Sequence, residues 1–240
     1  MNRFLFALSK IAIPLVILGV NSCIPKSAFA QSITLNAIDS GWYSSGGFHS
    51  PTNESYIVGR RYPLDYNNFF VFDLSGVEKP IASAFLRISD PADGYKSPDP
   101  TEAYTLFDVS TPVSTLKAGG FPLTDIYTDL GSGISFGSQT ISAQDNNSVV
   151  TIALNATGVA SLNSARSELY AIGGSITTIS GLDTQSVFQS TGFGDIRQLI
   201  ITPVPATVSE PANSPLVAFS FLGLICVATG HRKAKTKVRS

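Results

Sequence analysis

The stretch VVTIALNATGVASLNSARSELYAI, residues 149–172, decides the fold class. Its first six residues alternate: Val150, Ile152 and Leu154 fall on one side of an extended chain, and Val149, Thr151 and Ala153 on the other. A period of two is what a half-buried strand requires. Over 155–166 the pattern changes, with Val159 and Leu162 three apart among small residues and Thr157 placed to cap, so one short helix is predicted there. Strand-type residues return at 169–172.

Working outward, similar runs rich in β-branched and aromatic residues occur at 33–38, 69–74, 82–88, 103–109 and 199–202, separated by Gly, Pro, Asp, Asn and Ser. Short strands at turn-punctuated spacing with a single helical interruption predict an all-β chain. The expected architecture is a jelly-roll-like β-sandwich over residues 31–202 with one short helix. No internal repeat of fixed period is visible. A body of this length can bury one core, since chains of about 150 residues bury roughly 68–70% of their unfolded surface.

The two ends read differently. Residues 1–30 form a secretory signal: Arg3 supplies positive charge, residues 4–20 are apolar apart from Ser9, Lys10 and Pro14, and Ala28-Phe29-Ala30 is a small-variable-small cleavage site with Gln31 following. Signal peptidase is the implied partner. A rival reading makes Cys23 an acylated N-terminus, to which Val20-Asn21-Ser22 is a poor approach. At the other end, four prolines among residues 203–215 make an extended linker, assigned to 203–214. From Pro215, a favoured first helical residue, a C-terminal hydrophobic transmembrane helix is expected within 215–240. Its 15 uncharged residues, 216–230, are short against the ~20 of an ordinary span. The basic cluster of Arg232, Lys233, Lys235, Lys237 and Arg239 would hold its end in the cytoplasm.

Charge excludes one function class. Three basic residues lie in the leader and five in the tail, leaving eight of the 16 for the middle, where all 17 acids lie, so its formal charge is 8 − 17 = −9. Nucleic-acid binding needs clustered Lys and Arg and is not expected. Cys23 and Cys226 both lie in the end segments, so the body has no thiol for a disulfide or a thiolate metal site.

NNFFVFDLSGVEKPIASAFLRISDP, residues 67–91, resembles the opening hairpin of DNRLRE-type sandwich modules of bacterial surface proteins, and residues 150–172 resemble their later strand, short helix and strand. The order of Glu-Pro linker, apolar helix and basic end is similar to the PEP-CTERM sorting signal of Gram-negative and cyanobacterial secreted proteins. Glu210 and Pro211 match its motif, while Ser209 replaces the first proline and Ala234 and Thr236 dilute the basic cluster. That resemblance implies an exosortase-type membrane protease as partner and removal of the tail; a permanent anchor is the alternative. GWYSSGGFH, SPDPTEAYTLFDVSTP and DLGSGISFGS extend the likeness to PEP-CTERM surface proteins of cyanobacteria over nearly the whole chain. It implies export to the cell surface or the extracellular space and association with extracellular polysaccharide, and brings no catalytic residues.

The body offers four candidates for chemistry. His49, its only histidine, could be the base of a Ser-His-Asp hydrolase or a polar turn residue; no G-x-S-x-G elbow accompanies it. Paired carboxylates could cleave a glycoside, although sequence does not measure their separation. Asp90, Asp93, Asp99 and Glu102 crowd one loop with Gly94, which suits calcium or ordinary turns. Trp42 and Tyr43, near Phe48 on a glycine-rich segment, could form a sugar-stacking platform or lie beneath the sheet. The resulting expectation is a non-enzymatic exported surface or matrix protein with no obligatory cofactor, the alternative being a secreted polysaccharide hydrolase.

Overall fold

The computed structural model describes residues 31–189 and 195–206. The signal segment with Ala28 and Ala30, the linker beyond residue 206 with Glu210 and Pro211, and the expected C-terminal helix lie outside the described residues. Among the described residues no helix is long and apolar enough to cross a membrane.

In chain order the strands are β1 (Ile33–Asn36), β2 (Asp39–Ser44), β3 (Val58–Arg61), β4 (Leu64–Asp73), β5 (Ile81–Asp90), β6 (Glu102–Asp108), β7 (Ser135–Ile141), β8 (Ser148–Ala153), β9 (Leu169–Ile176), β10 (Gln185–Val187) and β11 (Arg197–Pro203). Among the described residues three α-helices, α1 (Val113–Ala118), α2 (Thr124–Leu130) and α3 (Ala156–Ser164), and one 3-10 turn, Ala143–Asp145, interrupt them. All seven expected strand runs are present. The single predicted helix is α3, and α1 and α2 correct that expectation. Both are short and carry no side-chain N-cap, so they lack the boundary signals that a sequence reading uses.

Every pairing is antiparallel. A four-stranded sheet has the order β1-β11-β5-β8, and a seven-stranded sheet the order β10-β3-β4-β9-β6-β7 with β2 also paired to β4. The fold is all-β and sandwich-like. Its main core takes Leu86, Ile88, Val150, Ile152, Leu199 and Ile201 from the first sheet and Phe70, Phe72, Tyr104, Leu106 and Ile172 from the second. The alternation in β8 holds as read: Val150 and Ile152 are buried while Thr151 and Ala153 are exposed.

The opposite face of the second sheet is also covered. Tyr43, Phe69, Val71 and Ala171 pack there against Leu116 of α1 and Ile126 and Leu130 of α2. Double coverage explains why β4 reads Phe69-Phe70-Val71-Phe72 without a polar break, each worth ~1.5–3 kcal/mol once buried. Such a strand can carry polar side chains only where they find partners. Asn68, fully buried, accepts from the Tyr104 hydroxyl at 2.8 Å and donates to the Tyr56 carbonyl at 2.8 Å.

Local boundaries follow capping chemistry. The Asn155 side chain accepts from the Gly158 amide at 2.9 Å and opens α3, so the cap lies two residues before the expected Thr157. Leu162 then faces inward fully buried, and Val159 packs beside it on the core. The hairpin β3–β4 turns at Tyr62-Pro63, whose peptide bond is cis.

Candidate functional site

Adjacent residues of a strand point to opposite faces, and β2 uses this to build a surface and a core at once. Tyr43 turns inward: it is 0% exposed, its hydroxyl donates to the Leu116 carbonyl at 2.7 Å, and burial pushes its pKa up to about 12. It is a core residue: of the two readings the sequence left open, burial holds for Tyr43 and the sugar platform does not include it. Trp42 turns outward and lines an open groove of about 260 Å³. Both rings stand on a strand rather than on the loop that the glycines suggest.

Trp42 is held from two sides. Its indole Nε1–H donates to Ser55 Oγ at 3.0 Å, and its ring meets Tyr66 edge-on at 4.9 Å between centroids. Phe48, 47% exposed, continues the aromatic strip 6.2 Å from Trp42. The polar lining comes from three further segments. Asn53 and Ser55 stand on the strand-free stretch before β3, where the Ser55 amide donates to Asn53 Oδ1 at 3.0 Å. Arg61 ends β3, and Gln189 follows β10, its Nε2 donating to Ser186 Oγ at 2.9 Å. Ile57 completes the lining.

Arg60 and Arg61 differ in occupation. Arg60 forks onto Asp65, with Nε to Oδ1 at 2.6 Å and Nη2 to Oδ2 at 2.7 Å. Arg61 is exposed and, among the described residues, has no carboxylate partner. A locked aromatic face with amides, a hydroxyl and a guanidinium around it can bind a sugar: ring C–H groups lie on the aromatic face and hydroxyls meet the polar rim. Among the described residues the lining includes no carboxylate and no imidazole.

His49 lies elsewhere, inside the second core. It is buried, stacked on Tyr43 at 4.6 Å and edge-on to Phe69 at 5.3 Å. Its Nδ1 lies 2.9 Å from the Trp42 carbonyl, which accepts, so Nδ1 carries the proton. Burial holds its pKa below the usual histidine value, against the opposing effects of that hydrogen bond and of Asp39. The ring therefore braces the backbone of Trp42.

The four acids considered for calcium do not converge. Asp90 ends β5 in the four-stranded sheet and Glu102 begins β6 in the seven-stranded one, so the loop between them crosses from sheet to sheet and draws its acids apart. Glu102 accepts from Ser97 Oγ at 2.6 Å and from the Thr178 hydroxyl; Asp99 Oδ2 accepts from Gln185 Nε2 at 2.7 Å; Asp93 is exposed. Among the described residues no three His, Cys, Asp or Glu side chains gather to hold a metal. Asp90 is 1% exposed; the Phe188 amide faces its carboxylate, but no donor reaches either oxygen in good hydrogen-bond geometry. Burial pushes its pKa up to about 6, the Phe188 amide pulls it down in part, and the charge of Asp145 adds to the rise.

Of the residues singled out in the sequence, only Trp42 reaches the groove. Asn53, Ser55, Arg61, Tyr66 and Gln189 were missed because they come together from four segments with no shared spacing. Compared with known proteins, the chain matches no protein-family model and no curated protein sequence.

Proposed function

We propose that this chain is an exported, non-enzymatic surface or extracellular-matrix protein that associates with extracellular polysaccharide through the Trp42 groove. The observation that carries this reading is the Trp42 ring, fixed by Ser55 and Tyr66 and ringed by amides, a hydroxyl and a guanidinium. The jelly-roll-like sandwich, whose sequence resembles DNRLRE-type modules, is then a scaffold that presents the groove. The hydrolase alternative would need an acid and a base at the scissile bond. Glu54, between the two lining residues Asn53 and Ser55, points instead to Arg197 at 3.3 Å.

Retention on exopolysaccharide purified from the native host tests the reading. Trp42→Ala is expected to lower retention about tenfold, the order of one lost aromatic anchor, without release of reducing sugar by the wild type. Gln189→Ala, which removes one polar group of the lining and its bond to Ser186 Oγ, should lower it less. Undiminished retention in both variants, or steady release of reducing ends, would count against the proposal.

Delivery follows from the two ends. Signal peptidase cuts after Ala30, and an exosortase-type protease acts at the Glu210-Pro211 region, so the chain crosses the inner membrane and its C-terminal helix spans it only transiently. The mature protein from the native host should lack residues 216–240, because 15 uncharged residues halt translocation yet anchor poorly. Intact mass decides this, and a native product still carrying Cys226 would overturn the sorting-signal reading.

A further inference from the structure

We propose that the groove selects an acidic sugar, with Arg61 taking the carboxylate of a uronate-type unit while Trp42 and Tyr66 carry the ring. This rests on the polysaccharide-binding reading and names its substrate class. The first support is the division of labour between the two neighbouring arginines. Asp65 satisfies Arg60 through a bidentate pair, whereas Arg61 lies in the groove wall, exposed and without a carboxylate partner among the described residues. A planar guanidinium presents two parallel N–H donors matched to a carboxylate, and such charge-assisted pairs are shorter and stronger than neutral ones.

The second support is the lining itself. Asn53, Ser55 and Gln189 supply neutral polar groups suited to hydroxyls, and among the described residues the lining holds no acid that would repel an anionic unit. The third is contrast with the body as a whole, whose eight basic residues, Arg61 among them, and 17 acidic residues between Gln31 and Glu210 give a formal charge of 8 − 17 = −9. A body so charged repels polyanions in general. Binding of an acidic polymer therefore depends on one placed cation, so the selectivity is for a carboxylate in register with the aromatic face and not for negative charge as such.

The test measures retention of the full chain on alginate, on the same alginate with its carboxyls reduced to hydroxymethyl groups, and on dextran sulfate. Alginate is expected to be favoured over both by about tenfold, the size of one hydrogen-bonded charge pair. Arg61→Met should bring the alginate preference to about one while leaving the weaker retention on the reduced polymer intact. Arg61→Lys, which keeps the charge and loses the fork, should recover only part of the preference. Lys96→Met, removing the same charge at another exposed position, should leave the preference unchanged. Equal retention on alginate and its reduced form, equal retention on dextran sulfate, or an equal loss in Lys96→Met would each overturn the acidic-sugar assignment while leaving polysaccharide binding in place. Retention on none of the polymers and none on host exopolysaccharide would overturn both.

Discussion

Replacing Gly59 by alanine is expected to cost the fold about 3–5 kcal/mol and to lower its melting temperature by about 10 °C or more. Gly59 sits in β3 at φ +104°, a backbone conformation that L side chains rarely adopt. A methyl group there would fall 2.2 Å from the Gln185 carbonyl oxygen and 2.5 Å from Ile176 Cδ1. The first neighbour is backbone of β10, which ends its sheet and is held by register with β3, Ser186 opposite Gly59. The methyl can be admitted only by pushing β10 away. Gln189 follows that strand into the groove, so polysaccharide retention should fall along with stability. A thermal melt and a retention assay on the same preparation check both links. A melting point within a degree or two of the wild type would show that β10 yields without cost and that the register is not what holds it.

Asp90→Asn should stabilise the protein at neutral pH by about 2 kcal/mol and abolish one component of its pH dependence. The carboxyl titrates at 3.8 when unfolded and at about 6 when folded. Between those values the native state holds more protons than the unfolded state, so stability falls as pH rises through the window and stays reduced above it. The full shift corresponds to about 3 kcal/mol, and about 2 remains after allowing for water that reaches an ionised carboxylate. Asparagine keeps the shape and removes the charge. Melts at about pH 7.5 should show the variant higher by about 4–8 °C, and the two proteins should converge as pH falls toward 4. A variant that melts lower at neutral pH, with the wild-type pH profile, would mean that the folded state pairs the carboxylate.

The strands that could be read in advance were those whose pattern reports burial directly. β8 alternates, β4 and β5 carry long apolar sets, and β11 is a compact run between turn residues. The strands that escaped notice are β2, β3, β7 and β10, and each has a physical reason. β2 reads Asp-Ser-Gly-Trp-Tyr-Ser, with small polar residues buried beside its aromatics, so hydropathy marks it as a turn. β3 and β10 are held by their neighbours' registers rather than by their own propensity, at four and three residues. β7 is Ser-Phe-Gly-Ser-Gln-Thr-Ile, half of it polar and exposed. The site was legible only as a lone tryptophan. For its neighbour Tyr43 the sequence left platform and burial both open, and once β2 is a strand the two rings diverge and Tyr43 takes the core. The crowding of acids at 90–102 was real in sequence, but the crossing between sheets dissolves it in space.

The place of β11 has a consequence for how the chain is made. It lies between β1 and β5, with Ile201 opposite Ile33 and Leu199 opposite Leu86. Asn36 and Gln198, bonded side chain to side chain, stand 162 positions apart. Among the described residues the first strand to emerge during synthesis thus waits for the last, and until residues 197–203 arrive both β1 and β5 lack the neighbour that fills the gap between them. Contacts of such long sequence separation form slowly, and open edges invite pairing with other chains. A ribosome that still grips the chain beyond residue 203 therefore also sets the moment at which the smaller sheet can close.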